Sequence, residues 1–242
     1  MVDLSKFRQS ADVKQDSDSL GGFLWESGAY PVKVDSAYFT EAASGAVGVV
    51  INLTNGSKDF RTTQYIQSGN AKGNKTTYTD KNKQEVPLPG FTQVNNLCLL
   101  TLGKEIADMA TEKKTVNVYN AKAGKEIPTE VDMLTGLIGQ EIIMGVVKQT
   151  VNKSVKSDSG AYVPTAETKD ENEVDKFFRA SDKMTVAETL AEAETAEFYS
   201  KWVEKREGVT VNKVKEVKAQ SFSGGAAAGG GDTSSTTSLF NT

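Results

Sequence analysis

Apolar and polar side chains alternate along the first third of the chain, and this two-residue period constrains the fold more than any other feature. The alternation covers residues 29–39, where Val32 and Val34 are apolar, and returns at 58–67; between them, 46–53 is a short β-branched run. Because successive side chains of a strand point to opposite faces, these segments predict three strands. Short turns join them, so we expect a meander that begins a small barrel or sandwich.

Helical patterns interrupt and follow these strands. Apolar spacing predicts a helix over 91–102, and Thr185 opens a capping box before a long amphipathic helix over 186–206. The apolar run in 140–151 predicts a buried strand, whereas the polar, acidic segment 165–185 suggests an excursion from the domain. The expected fold is α+β and β-rich, with inserted helices and a long C-terminal helix.

Composition along the chain suggests three parts. Residues 1–20 are polar and predict a flexible arm, 21–222 predict the folded domain, and 223–242 predict a disordered tail of Gly, Ala, Ser and Thr. Leu239 and Phe240 form an apolar pair near the end of this tail. They are candidates for binding a partner protein, and the alternative is a spacer with an incidental apolar pair.

The residue inventory argues against an enzyme. The chain has no histidine and one cysteine, Cys98, which excludes the usual zinc sites and the Ser-His and Cys-His nucleophile pairs. It contains no phosphate-binding GxxxxGK[ST] or GxGxxG motif. Carboxylates alone could hold Mg²⁺, but no tight acidic cluster follows a predicted strand. We therefore expect no catalysis, no cofactor and no metal site.

The same inventory bears on location. A single cysteine fits a reducing compartment, and the sequence contains neither a long apolar span nor an N-terminal apolar signal core. We expect a soluble cytoplasmic protein with no membrane partner, in the host cytoplasm if the source is viral.

The stretch 58–83 combines positive charge with aromatic rings. It holds six basic and two acidic side chains, although the whole chain has a net charge of −4. Single-strand binders need this combination, because cations track the phosphates while rings stack on unpaired bases. The alternative is a solvated strand and mobile polar loop, with Phe60 in the core. The candidate binding residues are Lys58, Phe60, Arg61, Tyr65, Lys72, Lys75, Tyr78, Lys81 and Lys83.

A second basic run continues from the strand at 140–151. It contains Lys148 and Lys153. If the strands close into a barrel, the two basic runs are expected to line one groove.

The meander, the basic-aromatic loop, the inserted helix and the tail with an apolar tip together resemble bacteriophage-type single-stranded DNA-binding proteins with an OB-fold. The resemblance is one of layout over residues 25–242. It implies a small OB-like barrel and a role in DNA replication, recombination or repair, with single-stranded DNA as ligand and replication or recombination proteins as partners of the tail. The tail departs from the pattern, since Asp232 is its single acid.

A structural or scaffold protein that self-assembles without nucleic acid is the alternative function. The two functions predict different behaviour. The affinity of a nucleic-acid binder falls steeply with salt because counterions are released, whereas a scaffold self-associates whether or not nucleic acid is present.

Overall fold

The computed structural model describes residues 24–120, 123–157 and 162–217. The predicted arm over 1–20 and the tail over 223–242, with Leu239 and Phe240, lie outside the described residues. The helices are α1 (Pro89–Leu102), α2 (Val186–Leu190) and α3 (Glu197–Arg206). The strands are β1 (Gly28–Glu41), β2 (Val47–Thr54), β3 (Asp59–Tyr65), β4 (Thr77–Thr79), β5 (Glu85–Pro87), β6 (Glu112–Asn120), β7 (Lys125–Met133), β8 (Glu141–Lys156), β9 (Tyr162–Arg179) and β10 (Val211–Asn212).

The chain forms a strand-rich α+β fold, and the three strands predicted from alternation and from the β-branched run are confirmed as β1, β2 and β3. β1 pairs antiparallel with β2 along one part of its length and with β8 along another, while β2 pairs with β3 and β8 with β9. The main path through the sheet is therefore β3-β2-β1-β8-β9. The β6–β7 hairpin joins β1 through β7, and β10 lies parallel to β8.

The sheet is open in the part of the chain that the structure describes, because β3 pairs with β2 and not with β9. The described strands do not close into the small OB-like barrel that the resemblance implies. Helix α1 contacts both β3 and β9. Its Gln93 side chain donates from Nε2 to the Asp175 carbonyl of β9 at 2.7 Å. The helix thus lies between the two ends of the sheet, where closure would require β3 and β9 to meet.

The main core forms between the inner face of the sheet and one side of α1. Val34 of β1 and Leu53 of β2 are fully buried there, and so are Val94, Leu97 and Cys98 of α1. Burying a valine or leucine side chain contributes about 1.5–3 kcal/mol relative to exposure. The predicted helix over 91–102 is confirmed, beginning two residues earlier.

Residues 165–185 do not form the predicted excursion, since most of them belong to strand β9. β9 pairs with β8 along nearly its whole length. Thr150 Oγ1 donates to Asp170 Oδ1 at 2.7 Å, and Lys153 Nζ lies 3.0 Å from Glu167 Oε2. Polar cross-strand pairs hold this part of the β8–β9 ribbon, so over residues 165–173 both faces of β9 are polar and the alternation that marks other strands is missing. The end of β9 is apolar, where Val174, Phe177 and Phe178 are buried.

The predicted long C-terminal helix is two helices, α2 and α3. The capping box of Thr185 and Glu188 is confirmed at the start of α2. Glu188 Oε1 also accepts from the Phe198 backbone N–H at 2.7 Å, so one carboxylate caps both helices across the intervening turn. Trp202 of α3 is buried, and its Nε1–H donates to Asp175 Oδ2 at 2.6 Å, which fastens α3 to β9.

Candidate nucleic-acid interface

Strand β3 has one exposed and one buried face, because its side chains alternate. Arg61, Thr63 and Tyr65 are exposed, whereas Phe60 points into the core. Phe60 is only 7% exposed, and its ring centroid lies 6.1 Å from that of Trp25. The prediction that Phe60 contacts nucleic acid is wrong, since its ring is already packed in the core; the alternative of a core phenylalanine is confirmed.

Two glycines determine where Tyr65 lies at the end of β3. Gly48 of β2 pairs with Tyr65 of β3, and a Cβ on Gly48 would lie 3.2 Å from Tyr65 Cδ1. Gly90, the second residue of α1, packs against the Tyr65 backbone so closely that its Cβ would lie 2.8 Å from both N and C of Tyr65. The Tyr65 side chain is nevertheless 49% exposed. These contacts fix the position of the half-exposed Tyr65 ring.

Residues 66–88 fold back over the turn between β1 and β2. The Asn70 backbone N–H donates to the Ser44 carbonyl at 2.9 Å. Further along, β4 and β5 form a hairpin whose turn is held by Asp80, which accepts from two backbone N–H groups of the turn at 2.8 Å each. The segment predicted as a mobile polar loop therefore contains regular structure and is hydrogen-bonded to the turn between β1 and β2.

A cavity of about 750 Å³ lies between the end of β3, the segment 66–88 (the insertion) and the start of α1. Tyr65, Tyr78, Lys72 and Lys75 all line it, so four residues of the predicted basic-aromatic site meet here. The volume falls within the range of about 300–1,000 Å³ that is usual for ligand sites. Lysines and tyrosines around one cavity supply the two groups that single strands need, cations for phosphates and rings for bases.

The amino end of α1 adds to the positive character of the cavity. Pro89 and Gly90, the first two residues of the helix, line it. The aligned peptide dipoles of a helix are equivalent to about half a positive charge at this end. The helix start and the two lysines therefore favour the same kind of ligand, an anion.

Alternation within the β4–β5 hairpin separates its side chains. Thr77, Thr79 and Glu85 lie on one face and line the cavity. Tyr78 and Val86 are paired on the other face, and of these two only Tyr78 reaches the cavity lining. The cavity therefore lies on the face of the hairpin that carries Thr77 and Thr79. Tyr78, which is 45% exposed, borders the cavity from the opposite face.

The remaining predicted cations near β3 lie outside the cavity. Arg61 shares the exposed face with Tyr65 and donates from Nη2 to Tyr38 Oη at 3.0 Å. Lys58 precedes β3 at its other end, roughly 23 Å from Tyr65 at about 3.3 Å per residue. Lys81 and Lys83 are exposed in the turn of the β4–β5 hairpin. These residues extend the basic surface along the exposed face and around the rim.

Lys148 and Lys153 do not join this site. They lie on β8, and β1 and β2 separate β8 from β3. Lys148 Nζ lies 3.0 Å from Glu26 Oε1, and Lys153 Nζ lies 3.0 Å from Glu167 Oε2, so an acid accompanies each cation. The expectation of one groove lined by both basic runs is wrong, because the open sheet keeps the runs apart.

Several polar residues that line the cavity were not predicted from the sequence. Gln64, Gln67, Thr77 and Glu85 line the cavity. A sequence pattern could have indicated Thr77 and Glu85: short β-prone segments flank Asp80-Lys81-Asn82-Lys83, which is typical of a hairpin turn. The role of Gly48 had no such signal, because it depends on the strand register.

Comparisons with known proteins give no further guide. No protein-family model matches the chain, and no match is found among curated proteins or among solved structures. None of the helices in the described ranges is long and apolar enough to cross a membrane. The case for a function rests on the geometry of the cavity and of the exposed face of β3.

Proposed function

We propose that the protein binds single-stranded DNA, with the strand crossing the exposed face of β3 and a base entering the cavity beside Tyr65. The observation that carries this proposal is the meeting of Tyr65, Tyr78, Lys72 and Lys75 around one cavity. A base that stacks on an aromatic side chain gains about 1–3 kcal/mol, and this gain requires that the base is unpaired. A duplex keeps its bases stacked inside and cannot use the rings.

The distribution of charge supports the same ligand. The chain has a net charge of −4, so nonspecific attraction of the whole protein to a polyanion is unfavourable. The stretch 58–83, in contrast, carries six basic and two acidic side chains. A local excess of cations next to exposed rings favours a ligand that offers phosphates and unpaired bases together.

The strand order also fits the proposal. The path β3-β2-β1-β8-β9, with α1 following β3 in the chain, is compatible with an OB-fold, a five-stranded and partly open barrel whose second and third strands bind oligonucleotides. β3 lines the cavity, and β2 is its neighbour in the sheet. We include an open OB-like fold in the proposal, together with the role in replication, recombination or repair that the bacteriophage resemblance implies. Contacts of Leu239 and Phe240 with replication or recombination proteins belong to the same proposal.

Fluorescence anisotropy tests the proposal directly. A labelled single strand of about 30 nucleotides is titrated at low and at moderate salt, with the matching duplex as control. We expect tight binding to the single strand, a steep loss with salt from counterion release, and much weaker binding to the duplex. Absence of binding at low salt would refute the proposal. Light scattering that then showed self-association independent of nucleic acid would support a scaffold protein instead.

A further inference from the structure

Glu85 is the one carboxylate among the side chains that line the cavity in the described part of the chain. It shares the cavity with Lys72 and Lys75, which are there to meet phosphates if the proposed function is right. Its Oε1 accepts a hydrogen bond from Thr77 Oγ1, which holds the side chain on the cavity face of the hairpin. A carboxylate has about four lone-pair sites, so further hydrogen bonds can be accepted.

The side-chain amides of the two glutamines that line the cavity already donate hydrogen bonds within the protein. Gln64 Nε2 donates to Thr62 Oγ1 at 3.0 Å, and Gln67 Nε2 donates to the Asn74 carbonyl at 2.7 Å. Each amide group thus uses one of its two N–H donors within the protein. Because the proposed function assigns Lys72 and Lys75 to phosphates, Glu85 is the charged side chain of the cavity that is left to meet a base edge.

From the place of Glu85 in the cavity we infer that the cavity selects a base with an exocyclic amino group and disfavours thymine; the inference rests on the proposed function. Cytosine offers its N4 amino group and adenine its N6 amino group, and a carboxylate accepts readily from such donors. Thymine presents the O4 carbonyl at the corresponding position. Two acceptors would then face each other, which leaves the thymine carbonyl without a donor and places negative charge against it.

Cytosine and thymine strands give the cleanest comparison, because both bases are pyrimidines. Affinities of oligo-dC and oligo-dT strands of equal length are measured by fluorescence anisotropy for the wild-type protein and for Glu85→Gln. The glutamine amide both donates and accepts, so it can meet either base. We expect wild type to prefer oligo-dC by about tenfold, the order expected for one good base-edge contact. In Glu85→Gln the ratio falls close to one, mainly through tighter binding of oligo-dT.

Removing a negative charge also raises affinity for any polyanion, and Glu126→Gln controls for this. Glu126 is exposed on β7 and lies outside the cavity. The control should leave the ratio of the two affinities unchanged. Equal binding of both strands by wild type, with no change of ratio in Glu85→Gln, would overturn the inference and leave the proposed function standing. Failure of wild type to bind either strand would overturn the proposed function and the inference with it.

Discussion

Replacing Gly90 by alanine should destabilise the protein, although alanine is the better helix former. Gly90 is the second residue of α1, where the helix meets the end of β3. A Cβ at this position would lie 2.8 Å from N and from C of Tyr65, and closer still to the Tyr65 carbonyl oxygen. These are backbone atoms, so no change of rotamer relieves the contact. Either α1 or the end of β3 must move.

Two effects of opposite sign decide the magnitude. Alanine gains up to about 1 kcal/mol over glycine from its intrinsic helix propensity. Overpacking of a well-packed site costs about 1–3 kcal/mol, and contact with the backbone of a paired strand belongs at the upper end. The net expectation for Gly90→Ala is a loss of about 2 kcal/mol in the free energy of unfolding. For a domain of this size, that loss lowers Tm by roughly 4–8 °C.

Urea unfolding followed by tryptophan fluorescence measures this, because Trp25 and Trp202 are both buried. Thr92→Ala is the matched control: Thr92 is exposed in the first turn of the same helix, and its replacement should change stability by less than about 0.5 kcal/mol. Gly90→Ala should also weaken binding of single-stranded DNA, since the Tyr65 ring moves with its backbone. A Gly90→Ala protein as stable as wild type, or more stable, would refute the close packing of α1 on β3.

Further predictions concern the ring, the charges and the thiol. Tyr65→Ala should cost about 1–3 kcal/mol of single-strand affinity in anisotropy titrations, whereas Tyr65→Phe retains the ring and most of the affinity. Lys72→Ala and Lys75→Ala should each make the slope of log affinity against log salt shallower by about 0.7, whereas Lys153→Ala should leave it unchanged. Burial raises the pKa of the Cys98 thiol to about 11, so at pH 8 a thiol reagent should label the native protein far more slowly than the urea-unfolded chain.

Local side-chain patterns were sufficient to predict the first three strands and helix α1. β1, β3 and α1 each bury one apolar face, and β2 is buried on both faces, so the pattern of apolar residues follows from the local structure. The polar part of strand β9 could not be recognised in this way, because Glu167 and Asp170 pair with side chains of β8 and both faces of the strand are polar there. The partner strand, rather than its own sequence, determines that this segment is extended.

The break between α2 and α3 was also not predictable from the local sequence. Residues 191–196 consist mainly of Ala and Glu, which favour a continuous helix. Tertiary contacts override this preference: Glu188 caps the start of α3, and Trp202 binds Asp175. One continuous helix would lose the bond from the Phe198 N–H to Glu188 that starts α3 anew.

The candidate site was predictable in composition and not in shape. Charge and aromatic content alone identified Tyr65, Tyr78, Lys72 and Lys75, which the structure brings to one cavity. The cavity itself depends on how the insertion packs over the β1–β2 turn and on strand register. The misassignment of Phe60 has the same cause, since the face of β3 that is buried is determined by the strands and helix beside it.

Photochemical cross-linking would test most directly whether the cavity beside Tyr65 binds single-stranded DNA. A single strand carrying 5-iodocytosine is bound to the full-length protein and irradiated, and the cross-linked peptide is identified by mass spectrometry. We expect the cross-link within residues 61–90, with Tyr65 as the main site, and its loss in competition with unlabelled single strand. A cross-link confined to the β8–β9 ribbon, or none at protein concentrations that saturate binding, would contradict the assignment of the site.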